Sequence, residues 1–337
     1  MSHRDEASAD AAERRLMVDV RNLSKRFGRT VALEDVSLTI RPGERYAILG
    51  PNGAGKTTLI HTLCTIHSAD SGTAVVGGFE VHRHPLKARR VLGVVFQEPS
   101  LDTRLTVAEN LEFHGRIFGV PGRVRRKRIP ELLDLVELTS WKDHLVRSLS
   151  KGMQRRLEIA RALVHDARLL VLDEPTVGLD AQTRGRMWEY LRDLQRMREL
   201  TVLVTTHYIE EVDTCDRVCI IDHGRVLTIG SPPELKQRHG SVLVRVEASD
   251  AETRRQLVEH YDGSTTQGAF VLLPVEDDDA IEKVLTRFGT RLRSFAVERS
   301  TLESVFLSLT GRAIRDQAAG EKDRLLAFAQ QGGEHTR

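Results

Sequence analysis

The chain has 337 residues, 40% hydrophobic and 29% charged, with a net charge of +2. That length suits one large domain plus a small one, and the near-cancelling charges give no general drive toward nucleic acid. No run approaches the roughly 18–20 apolar residues that would span a bilayer, so a membrane part of any assembly is expected to be another chain.

In chain order, residues 1–16 are polar and read as a flexible tail without the apolar segment of a secretion signal. From Met17, strands are expected: Val18 and Val20 alternate with polar residues, as do Val36, Leu38 and Ile40. Lys25-Arg26-Phe27-Gly28 lies between them, and Arg41-Pro42-Gly43-Glu44 reads as a turn. Tyr46-Ala47-Ile48-Leu49 is a buried strand, and Thr58–Leu63 opens a helix. Ser71-Gly72-Thr73 and Gly77-Gly78 bound a short strand. Val91–Val95 is an apolar strand ending at Phe96-Gln97-Glu98-Pro99. Residues 100–165 turn to helical spacing (Leu132, Leu135, Val136; Leu157, Ile159, Ala160, Leu163) and read as a helical insertion. Its basic run, Arg123 and Arg125 to Arg128, is a solvated helix start rather than a nucleic-acid or phospholipid patch. Strands resume at Leu169–Leu172, Thr201–Thr205, Val218–Ile221 and Val226–Ile229, with Met187, Leu191 and Leu194 helically spaced between them. The alternation predicts a doubly wound, mostly parallel sheet.

A boundary is expected from Ser231-Pro232-Pro233 to Arg238-His239-Gly240. Beyond it, Val242, Val244 and Val246 form a strand, 250–260 a helix, Phe270–Leu273 a strand, 278–288 a helix and Leu292–Val297 a strand. Leu302, Val305, Phe306 and Leu309 stripe a last helix. Residues 241–310 thus form a small α/β domain, and 311–337 a second tail. The three cysteines, Cys64, Cys215 and Cys219, form no disulfide framework and fit a reducing, intracellular setting. Cys215 and Cys219 are four apart, but nothing completes a metal site, so they read as small buried side chains.

The chemistry centres on Gly50-Pro51-Asn52-Gly53-Ala54-Gly55-Lys56-Thr57-Thr58, which fits G-x-x-x-x-G-K-[ST] without a mismatch. A strand before it and a helix after it are the context a phosphate-binding P-loop requires. Its glycines let backbone N–H groups turn toward phosphate oxygens, and the helix N-terminus adds partial positive charge. Lys56 is expected to reach the terminal phosphates of a nucleoside triphosphate, and the Thr57 hydroxyl to ligate Mg²⁺. The strand Leu169–Leu172 ends in Asp173 and Glu174. Asp173 suits a Mg²⁺ ligand; Glu174 suits a base that polarises an attacking water.

Ser148-Leu149-Ser150-Lys151-Gly152-Met153-Gln154-Arg155-Arg156, just ahead of Leu157–Leu163, makes the chain resemble the ABC ATPase family. It matches that family's signature L-S-G-G-Q as LSKGM, with Lys151 in place of the first Gly and Met153 in place of Gln. The resemblance covers about residues 17–235. It implies a P-loop ATPase fold with an antiparallel β subdomain and a helical insertion, here with the small C-terminal domain. It implies that Ser150 and Gly152 face the γ-phosphate, that Gln97 is the Q-loop glutamine sensing Mg²⁺ and the membrane partner, and that Val177-Gly178-Leu179-Asp180 is the D-loop. It also makes His207 the switch histidine on the γ-phosphate and Phe27 the ring that stacks on adenine. The motor it implies is a head-to-tail homodimer sandwiching two ATPs at the cytoplasmic face of a membrane, driving a separate permease.

Three further stretches resemble the daunorubicin-resistance type of exporter ATPase: Leu101-Asp102 with Leu105–Leu111, Glu174–Asp180, and Leu302–Leu309 with Thr310-Gly311-Arg312. The expected function is therefore ATP hydrolysis powering efflux of a drug-like or lipid-like substrate. Two alternatives are weaker. A soluble ABC ATPase acting on ribosomes or DNA is opposed by the single motif set and the lack of a long coiled coil. A small-molecule kinase is opposed by the signature and His207.

Overall fold

The computed structural model describes residues 16–239, 242–275, 278–298 and 301–310. The described residues divide into two compact units that part between Ile229 and Gly230. Apart from Leu16, the predicted tails lie outside the described residues, as do Gly311 and Arg312.

In the first unit, β1 (Val18–Phe27) pairs antiparallel with β2 (Thr30–Ile40), Val18 opposite Ile40. Lys25 to Phe27 extend β1 rather than linking two strands, and Gly28, at φ +58°, makes the turn. β3 (Arg45–Leu49) leads through the glycine-rich loop into α1 (Lys56–Leu63). β4 (Ser71–Val76) and β5 (Phe79–Glu80) complete an antiparallel sheet in the order β2-β1-β4-β5. Then α2 (Pro85–Val91) runs directly into β6 (Leu92–Val95).

The insertion follows as α3 (Val107–Ile117), α4 (Gly122–Leu135) and α5 (Lys151–Ala162). Thr106 and Glu109 close a capping box on α3. Of the basic run, Arg125 pairs with Glu112 at 2.9 Å and Arg128 donates to the Val164 carbonyl at 2.9 Å, while Arg123, Arg126 and Lys127 are exposed. Part of the run therefore braces the insertion and part is the solvated face.

β7 (Leu169–Asp173), α6 (Ala181–Arg198), β8 (Thr201–Thr206), α7 (Ile209–Val212), β9 (Arg217–Asp222) and β10 (Arg225–Gly230) follow. The main sheet runs β10-β9-β3-β8-β7-β6, parallel from β9 to β6. Every residue of β3, β7 and β8 is buried. That explains their unbroken apolar runs: a parallel sheet is covered on both faces. Met187, Leu191 and Leu194 are buried as expected. The order β3-β8-β7, which sequence does not disclose, sets three carboxyl ends side by side: Leu49 is opposite Thr206, and Thr205 opposite Asp173. Open parallel sheets bind ligands at that edge.

In the second unit, the expected boundary segment is itself a helix, α8 (Pro232–His239). After it come β11 (Val242–Ala248), α9 (Ala251–His260), β12 (Thr265–Gln267), β13 (Phe270–Val275), α10 (Asp278–Phe288), β14 (Leu292–Glu298) and α11 (Leu302–Thr310). The antiparallel order β12-β13-β11-β14 with its β-α-β-β-α-β sequence is ferredoxin-like. Val244, Val246, Leu257, Val271, Leu273, Val284 and Phe288 form its core. The apolar stripe of α11 turns toward α8, where Ser308 donates to the His239 carbonyl at 2.8 Å.

The cysteines are free and buried. Burial pushes the Cys215 and Cys219 thiols up to about 12, and among the described residues no cluster of metal-ligating side chains includes them.

Candidate functional site

The loop after β3 owes its path to glycine. A Cβ at Gly50 would collide with the Ile221 carbonyl oxygen, and Gly55 sits at φ +102° against the Ala32 carbonyl. Gly55 occupies the N-cap of α1 with no side-chain capping bond, leaving first-turn N–H groups for a ligand. Pro51 and Ala54 are buried; Asn52, Gly53 and Thr57 are exposed; Thr58 is half-buried. Lys56 is only 4% exposed. Its Nζ donates to the carbonyls of Gly50 at 2.8 Å and Pro51 at 3.0 Å and lies 3.1 Å from Glu174 Oε1.

Asp173 ends β7, buried, and accepts the Thr205 hydroxyl at Oδ1. Glu174 follows at φ +46°, its N–H donating to Thr205 Oγ1 at 3.0 Å. Its Oε2 lies 3.2 Å from His207 Nδ1. Burial alone would raise the Glu174 pKa; the His207 and Lys56 contacts outweigh it and hold the carboxyl below its ordinary value. It is thus an ionised carboxylate with a Lys on one oxygen and a His on the other. Such a group can accept a proton from water, and Lys56 can neutralise phosphate charge.

Phe27, 44% exposed, and Gln97, exposed in the loop after β6, lie outside these contacts. Ser150, Gly152 and Asp180 gather elsewhere. Ser150 caps α5, its Oγ accepting from Met153 N at 3.3 Å. Asp180 caps α6, accepting from Thr183 N at 2.9 Å and Thr183 Oγ1 at 2.6 Å. Those bonds hold its carboxyl below the usual range. A Cβ at Gly152 would lie 2.9 Å from Thr183 Cγ2, so the two helix starts meet closely. Together they line a cleft of about 810 Å³ that contains no P-loop residue. Apart from Phe27 and Gln97, the sequence candidates therefore fall into two separate sets.

Sequence reasoning passed over Arg155. It is 7% exposed and donates to the carbonyls of Pro175 (2.9 Å), Phe96 (2.6 Å), Asp173 (3.3 Å) and Glu174 (3.4 Å), and to Glu158 Oε2 at 3.0 Å. It ties the helix bearing the signature to the backbone of Asp173 and Glu174 and to the loop of Gln97. Its signal was weak: one arginine in a helix rich in arginine. Arg155→Met is expected to lower stability by about 3–5 kcal/mol, since Glu158 loses its buried partner. Denaturant unfolding checks this, and a loss below about 1 kcal/mol would refute it. Glu211 was also missed. It is buried, accepts the hydroxyls of Thr176 and Thr206, and fixes the segment around His207.

Residues 33–177 match a family model described as ABC transporter. The Nod factor export ATP-binding protein I of Ralstonia nicotianae is 39% identical over 307 residues, covering 89% of this chain and 95% of that protein. The daunorubicin/doxorubicin resistance ATP-binding protein DrrA of Streptomyces peucetius is 38% identical over 316 residues, covering 90% and 95%. Among solved structures, cbiO1 of Clostridium perfringens, described as part of the ABC transporter complex cbiONQ, aligns with TM-score 0.62 and 31% identity, over 66% of this chain and 91% of that one. A dimeric ATP-binding cassette in a post-hydrolysis state with ADP and Pi aligns with TM-score 0.57 and 30% identity, over 64% and 98%.

Proposed function

Because the chain belongs to the ATP-binding subunits of ABC transporters, as an exporter ATPase, we propose that it hydrolyses ATP around Lys56 and Glu174 in a site completed by a second copy of itself. The observation that carries this reading is the split between the two sets. Lys56, Glu174 and His207 converge at one sheet edge, while Ser150, Gly152 and Asp180 line another cleft. A head-to-tail pair lets the second set of one copy face the P-loop of the other.

In this reading the amides of Gly50 to Thr58 and Lys56 hold the triphosphate, and Phe27 takes the adenine. Glu174 orients and deprotonates the attacking water. His207, held beside it, meets the terminal phosphate, and Gln97 senses the filled site. The hydroxyl of exposed Thr57 and the buried carboxylate of Asp173, with the Gln97 amide oxygen, are the hard oxygen donors that suit Mg²⁺. Bound there, the ion supplies charge neutralisation to the phosphate oxygens. Ser150 and Gly152 close the other side from the partner copy. Phosphoryl transfer demands little covalent work from a protein, so such positioning is where its contribution lies.

Among the described residues no helix is long and apolar enough to cross a membrane. We place the dimer at the cytoplasmic face, driving a separate permease. The names of the relatives support a drug-like or lipid-like cargo. One experiment tests the assembly. Tagged Glu174→Gln is co-expressed with an untagged copy and captured with ATP from solubilised native membranes. We expect the untagged copy and a multi-span membrane protein. Ribosomal proteins or DNA-bound factors instead would overturn the exporter assembly, and absence of the untagged copy would overturn the shared site.

A further inference from the structure

Four aromatic rings follow one another along the flank of α1. Phe27, at the end of β1, meets His67 edge-on, with centroids 5.3 Å apart and planes at 73°. His67 meets His61 at 5.2 Å and 62°, and His61 Nδ1 lies 3.4 Å from His67 Nε2. His61 meets Phe96 at 5.6 Å and 75°. Edge-to-face is one of the two arrangements that aromatic pairs prefer, and such pairs contribute beyond the area they bury.

The local backbone explains why His67 stays there. Its N–H, and that of Ile66, donate to the His61 carbonyl, at 3.2 and 2.8 Å, folding the chain back on the end of α1. Three residues on, Asp70 accepts Lys25 Nζ at 2.9 Å and Arg26 N at 2.6 Å. Residues 67–70 thus grip β1 immediately before Phe27 and set a ring against it. His67 and His61 are half-buried, whereas Phe27 keeps 44% of its surface open. An exposed Phe supported on one side by a chain of rings is a preset stacking surface, and a ring held in place loses less freedom when a base stacks on it.

We propose that His67, backed by His61 and fixed by the Asp70 grip, is a positioning residue that orients Phe27 to receive the base of ATP. This rests on Phe27 being the base platform, and the experiment separates the two. In full-length Glu174→Gln protein, calorimetry compares ATP with inorganic tripolyphosphate, which offers phosphates without a base. His67→Ala is expected to weaken ATP binding about 5- to 10-fold, the scale of one ring pair, and to leave tripolyphosphate unchanged. His67→Phe, which keeps a ring, is expected to restore ATP affinity. Equal losses for both ligands, or none for ATP, would overturn the role of His67. Phe27→Ala is expected to weaken ATP alone; no loss there would overturn the platform reading itself. In the Phe27→Ala background, His67→Ala should add nothing, and an additive loss would show that His67 does not act through Phe27.

Discussion

Replacing Lys56 with alanine is expected to weaken ATP binding about 10- to 100-fold, the scale of removing one charged hydrogen bond to the triphosphate. The ammonium is nearly fully buried, and its position is set by the Gly50 and Pro51 carbonyls and by Glu174. Among the described residues the other group on Glu174 is His207, on the opposite oxygen, so no second ammonium stands ready to replace it. The substitution also leaves the Glu174 carboxylate buried with one partner fewer, so its pKa is expected to rise. Equilibrium binding of ATP to the purified variant checks this. Unchanged affinity would remove Lys56 from the phosphate site and leave only its pairing with Glu174.

Glu174→Gln separates binding from hydrolysis. The amide keeps the size and reach of the side chain, and the backbone N–H of residue 174 keeps its bond to Thr205. What it removes is the negative charge that Lys56 and His207 hold ionised. ATP affinity is therefore expected to stay within a few-fold of wild type, while turnover falls about 10²- to 10⁴-fold, the scale of a positioned general base. Single-turnover hydrolysis measured beside equilibrium binding distinguishes the two effects. Turnover near wild type would assign the proton transfer to another group.

Much of this site was legible because its parts are contiguous. The P-loop is one unbroken string with a strand before it and a helix after it. Asp173 and Glu174 close an apolar run whose length and composition mark a buried strand. His207, Gln97, Ser150, Gly152 and Asp180 became legible only through resemblance to a family, because a lone His, Gln or Ser carries no local pattern. Arg155 and Glu211 escaped for the same reason. Each acts through acceptors or donors far away in sequence, and nothing in its own neighbourhood announces that.

The sequence by itself determined most of the strands and core helices and the glycine-rich loop: apolar periodicity and glycine placement are local properties, dictated by backbone sterics and by which face must leave water. Only the tertiary structure decided which strands adjoin. The order β3-β8-β7 brings Lys56, Glu174 and His207 together. Packing within the first unit also sends Ser150 and Asp180 to another cleft, and packing within the second turns the α11 stripe toward α8. Strand order and helix docking follow from the summed burial of surfaces distant along the chain, and no window of sequence contains that sum.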